Sequence, residues 1–157
     1  MGLHDPFERP IIRTDVFYQA PDRALSGLEA AFGLTRLIDV RDRASSLVHA
    51  EMRFGNCSII VDGEWPGFVS SPQSLDGKTT QIIYVQIASG LDAHCVQAQE
   101  HGADIVSEPE DQYYGDRLYR ARDLEGHIWT FSQAVRRVGR AEAERLGSVR
   151  ITGWHTE

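Results

Sequence analysis

The chain has 157 residues, 41% of them hydrophobic, and 16 Lys and Arg against 23 Asp and Glu give it a formal charge of −7. That balance excludes partners held mainly by phosphate neutralisation, namely nucleic acid and anionic membrane surfaces, and leaves a protein or a small molecule. The length suits one globular domain that buries roughly 70% of its unfolded surface, and no apolar run approaches the ~20 residues of a membrane span.

Residues 11–19 alternate in character and are rich in β-branched and aromatic types, which predicts a strand ended by Pro21 and Asp22. A helix follows, with Leu25, Leu28, Ala31 and Phe32 at helical spacing and Gly33 as its stop. Strands are then expected over 35–40, 47–54 and 58–61, separated by turns at residues 42–45 and at Gly55-Asn56. Residues 63–78, rich in Gly, Pro, Ser and Asp, form a linker in which Trp65 serves as a loop anchor or as a lid.

The second half repeats the order. A strand over 81–87 leads to a helix over 92–101, a short strand near Ile105-Val106, and a hairpin whose turn is Asp123-Leu124-Glu125-Gly126. The acidic run Glu108-Pro109-Glu110-Asp111 reads as a solvated loop or, next to Tyr113 and Tyr114, as a group that attracts a basic ligand. Residues 138–147 predict a last helix, after which Ile151 and Trp154 are expected to dock on the domain or on a second subunit. The sequence thus describes an α+β fold of two βαβββ modules with pseudo-twofold symmetry, sharing a core that neither module completes alone. The two cysteines, Cys57 and Cys95, lack any CxxC or Cys/His cluster, so Cys57 reads as a buried inert thiol and the compartment as cytoplasmic. The first residues show no leader or lipidation pattern, which fits the same expectation.

The run from Tyr114-Gly115-Asp116-Arg117 through Arg122-Asp123-Leu124-Glu125-Gly126-His127-Ile128-Trp129-Thr130-Phe131, with its counterpart His49-Ala50-Glu51-Met52-Arg53-Phe54-Gly55, resembles the glyoxalase/bleomycin resistance/dioxygenase superfamily, the vicinal oxygen chelate fold. The resemblance spans about residues 10–133. It implies a curved mixed sheet enclosing a cup, with module one at about 10–62, module two at about 79–133 and a C-terminal helix and tail over 134–157. In metal-dependent members each module gives one ligand from its first strand and one from its last. Those places fall here on Asp15, Ile60, Ile82 and Thr130, with Gln81 in place of Ile82 if the register slips by one. Isoleucine has no donor atom, so the resemblance implies no metal and no cofactor.

Strand alternation sends Asp15 and Phe17, His49, Glu51 and Arg53, Tyr84 and Gln86, and Leu118, Arg120, Arg122 and Thr130 into the cup, with Tyr113 and Tyr114 at its rim. Tyr119, Ala121, Trp129 and Phe131 fall on the helix side. The charged groups either bind a ligand or pair with one another across the pseudo-twofold axis. His49 is the candidate acid or base, with Glu51 placed to orient it, or else a plain polar residue. His127 reads as structural or exposed, and His94 and His101 as solvated. The function expected is metal-free binding or sequestration of an aromatic or charged small molecule by a homodimer. The alternatives are a lyase, isomerase or dioxygenase using a non-standard metal set (Asp15, His49, Glu51) or His49 alone, and a protein-interaction subunit with a filled cup.

Overall fold

The computed structural model describes residues 12–154. Strand β1 (Asp15–Tyr18) leads into helix α1 (Pro21–Phe32), followed by β2 (Thr35–Arg41), β3 (Leu47–Phe54) and β4 (Cys57–Gly63). After the linker, β5 (Ile82–Gln86), α2 (Leu91–Glu100), β6 (Asp104–Asp111), β7 (Asp116–Arg122) and β8 (Ile128–Ala134) repeat the order, and α3 (Arg140–Gly147) closes it. Each module forms its own four-stranded mixed sheet, ordered β1-β4-β3-β2 and β5-β8-β7-β6, with the outer pair parallel. Among the described residues, no strand of one sheet lies against a strand of the other; the helices α1 and α2 pack together instead. No helix among the described residues is long and apolar enough to cross a membrane.

The elements form for local reasons. Pro21 opens α1 where a missing N–H costs nothing, and Gly33 at φ 72° ends it. Its apolar face, Leu25, Leu28 and Phe32, enters a core shared with Val16, Tyr18, Ala50 and Met52 from one sheet and Tyr119, Ala121, Trp129 and Phe131 from the other. The parity expected for β1, β3, β5, β7 and β8 therefore holds. Phe32 packs on both Trp129 and Phe131, at 5.3 and 5.0 Å between ring centres, so α1 joins the modules through aromatic contact. Full burial of each such ring contributes roughly 2–3 kcal/mol.

Polar groups fasten the modules as well. The β7–β8 turn is built around Asp123, whose Oδ1 accepts the N–H groups of Glu125 and His127 and whose Oδ2 accepts Tyr18 Oη (2.6 Å) and Trp129 Nε1 (3.0 Å). Glu125 then reaches across to accept the N–H groups of Gln19 and Ala20 at 2.7 and 2.8 Å, doing for the start of α1 what a side-chain cap would do. His127 Nε2 donates to Phe17 O at 2.8 Å, which makes it structural. The turn fits because residue 27 is glycine: a Cβ there would lie 2.7 Å from Leu124.

Four expectations are corrected. The acidic run is not a loop but the second half of β6, a sheet-edge strand whose pairing with β7 shifts between Ser107 and Glu110, the interval that holds Pro109. His94 is not solvated: Nε2 donates to Phe32 O at 3.1 Å and Nδ1 accepts from Tyr119 Oη at 2.6 Å, and burial lowers its pKa. Cys57 is exposed beside the β3–β4 turn, whereas Cys95 is buried. Tyr113 turns toward α3, its ring packed over Gly147, so α3 docks on its own chain.

Candidate functional site

The face of each sheet that carries no helix presents the expected polar residues. On module one, Asp15, Asp62, Glu51 and His49 gather with Arg13. Arg13 Nη1 lies 2.8 Å from Glu51 Oε2. His49 stands between two carboxylates, with Nδ1 3.2 Å from Asp62 Oδ1 and Nε2 3.5 Å from Glu51 Oε1. Asp15 has one buried oxygen, Oδ1, with no hydrogen-bond partner among the described residues. Burial first, then the charge of Asp62, pushes its carboxyl from 3.8 up to about 6, against the opposing pull of His49.

An aromatic wall stands next to this acidic group. Phe17, two residues along β1 from Asp15, meets Trp65 edge to face at 5.7 Å, and Trp65 stacks on Phe68 at 6.0 Å. The linker is held in place by Glu64, which accepts the Ser71 N–H and the Ser74 hydroxyl. Asp15, Phe17 and Phe68 line a recess of about 430 Å³ with Lys78 and His127. Trp65 thus acts as an anchor that covers part of the module-one face.

On module two, Tyr84 and Gln86 are exposed, Thr130 is buried, and Arg120 is half-buried. The Tyr114 hydroxyl is pushed up to about 12 by burial and by its contact with Tyr84, with Arg120 pulling the other way. Arg122 pairs with Asp104 on the neighbouring strand at 3.1 Å. Of the two readings of the charged groups, pairing of Arg120 and Arg122 with Asp15 and Glu51 across the axis is not what forms among the described residues: Glu51 takes Arg13 and Arg122 takes Asp104. The physical reason is that the two faces belong to separate sheets. Arg53 lies on the module-one face opposite Ser58.

The register corrects one metal position. Asp15 lies opposite Ile60, and in module two Thr130 lies opposite Tyr84, whereas Ile82 lies opposite Ile128. The four places are Asp15, Ile60, Tyr84 and Thr130. A single carboxylate, an isoleucine, a phenol and a hydroxyl do not fit a divalent metal. Nor do Asp15, His49 and Glu51 form an alternative, since no three His, Cys, Asp or Glu side chains among the described residues are placed to hold a metal ion. Asp62 and Arg13 escaped the sequence reading although the same alternation, two residues beyond Ile60 and two before Asp15, puts them on this face.

No protein-family model matches the chain. An uncharacterized protein of Mycobacterium bovis is 31% identical over 118 residues, covering 73% of this chain and 76% of that protein. The crystal structure of TioX from Micromonospora sp. ML1 is 30% identical, with a TM-score of 0.63 over 83% of this chain and 100% of TioX. A glyoxalase/bleomycin resistance protein/dioxygenase from Nocardioides shares the fold at a TM-score of 0.59 over 83% of this chain and 91% of its own, at 14% identity. With this likeness added to the paired βαβββ topology, the chain belongs to the glyoxalase/bleomycin resistance protein/dioxygenase superfamily.

Proposed function

We propose that the protein binds an aromatic or charged small molecule on the helix-free faces of its sheets without a metal, so that binding or sequestration is itself the function. The observation that carries this reading is the replacement of a ligand set by Asp15, Ile60, Tyr84 and Thr130, with an aromatic wall of Phe17, Trp65 and Phe68 beside the unpartnered Asp15 oxygen. An acid beside aromatic faces suits a planar cation, which gains from both charge and ring quadrupole. Arg120 and Tyr84 on the other face suit an acceptor group at the far end of such a molecule.

Because the two faces lie on separate sheets, the reading includes a homodimer in which the module-one face of one protomer meets the module-two face of its partner. A second reading, a metal-independent acid–base enzyme, is favoured by the Asp15 carboxyl held near 6, where a general base works well at neutral pH. Two measurements test the proposal. Protein purified without chelator should carry well under one metal equivalent per chain, and a thermal-shift screen of cationic aromatic compounds should raise the melting temperature. About one equivalent of Zn, Ni, Mn or Fe would defeat it.

A further inference from the structure

The pseudo-twofold repeat is broken at its turns. Five residues, Asp123 to His127, join β7 to β8, and they lie along the open edge of β1, where Glu125 and His127 bind Gln19 and Phe17. Only Gly55 and Asn56 join β3 to β4, and this shorter turn does not fill the equivalent place along β5. Among the described residues a cleft of about 790 Å³ remains there, between β5 on one side and β3, β4 and the residues that lead into β1, Ile12 to Thr14, on the other. Its volume is that of a site for a drug-sized molecule.

The walls state what it would hold. Met52, Phe54, Ile59, Ile83, Val85 and Trp129 make them apolar. His94 also borders the cleft, but both its ring nitrogens are engaged inside the protein, and burial disfavours its charged form. Arg13 at the mouth is paired with Glu51. No wall group therefore calls for a charged ligand. The edge of β5 supplies the polarity: Ile87 N–H donates to Ser132 O, so alternation along a parallel ladder turns the main-chain groups of Tyr84 and Gln86 away from β8 toward the opening.

From these features we infer that the cleft behind β5 is a ligand site separate from the helix-free faces, taking an elongated, mainly apolar, uncharged molecule that carries an amide or carbonyl to pair with the β5 edge. It does not rest on the function proposed above.

The probe is 6-propionyl-2-(dimethylamino)naphthalene, an uncharged fluorophore with one ketone and an emission that shifts to the blue in apolar surroundings. Cys57 at the cleft mouth is exposed, whereas Cys95 is buried and its thiol is pushed up to about 11, so N-ethylmaleimide reports on Cys57. The expected result is saturable blue-shifted emission and, at about ten times Kd, alkylation slowed about tenfold. Val85→Trp should abolish both effects, while Asp15→Asn on the module-one face leaves them unchanged. If Val85→Trp does not fold, protection of Cys57 in the unaltered protein decides. Absent emission, binding without protection of Cys57, or binding that survives in folded Val85→Trp would overturn the inference. So would protection that rises with protein concentration in the absence of probe, since a second copy would then cover the cleft.

Discussion

Asp15→Asn should stabilise the protein. The substitution keeps the shape of the side chain and removes a carboxylate that is half-buried, faces Asp62 and has an oxygen without a partner. A carboxyl raised from 3.8 to about 6 binds its proton more tightly folded than unfolded, so folding is favoured by protonation and opposed by ionisation. The associated stability is fully present below about pH 4 and is lost as pH rises through about 6. Linkage without screening puts the loss at roughly 3 kcal/mol. Solvent screening of a half-exposed group reduces this to about 1 kcal/mol. For a chain of this size that is a rise of about 2–4 °C in melting temperature. Thermal and urea melts of both proteins at pH 4, 5, 6 and 7.5 should show the gap opening from near zero to its full value across that window. A variant equal to or less stable than the parent at pH 7.5, or a gap that does not change with pH, would mean that the Asp15 charge does not destabilise the fold.

Three further outcomes follow from the fastening of the modules. Glu125→Ala leaves the N–H groups of Gln19 and Ala20 without their acceptor and should cost roughly 2–4 kcal/mol in urea unfolding, without changing a strand. His94 is held neutral, so the stability it contributes is present above its ordinary value of 6.5 and declines as pH falls; His94→Gln should flatten the acid side of the stability curve below that pH. Gly115→Ala drives a methyl into Arg136 O at φ 102°, and a loss of about 2 kcal/mol or more is expected by melting, with α3 loosened as read by amide exchange.

The helix-free faces were legible in the sequence because alternation is a local rule: once Val16 and Tyr18 are placed in the core, Asp15 and Phe17 must face the other way. Trp129 and Phe131 were placed correctly by the same parity. Counting in from turns was less dependable. It places a metal position on Ile82, which the register pairs with Ile128, while Thr130 pairs with Tyr84; alternation fixes the face but not which of Ile82 and Tyr84 stands opposite Thr130. The last half of β6 is hidden in the sequence because charges and Pro109, which keep an exposed edge from pairing with another chain, mark an edge strand and a loop alike. The parts that needed tertiary knowledge were the roles of His94 and Asp123, because their partners lie 62 and 105 residues away in the chain. Nothing in a window around either residue names Phe32 or Tyr18. The break in symmetry between two turns was visible as a difference of length, but its consequence, an open cleft, depends on how the modules pack.

Metal-free binding on the helix-free faces is tested by calorimetry of the unaltered protein with proflavine, a planar aromatic cation, in EDTA and at two salt concentrations. Saturable heat is expected that EDTA leaves unchanged, that weakens at higher salt as ion pairing does, and that falls about tenfold in affinity in Asp15→Asn. Heat that disappears with EDTA, or an affinity indifferent to the loss of the Asp15 charge, would contradict it.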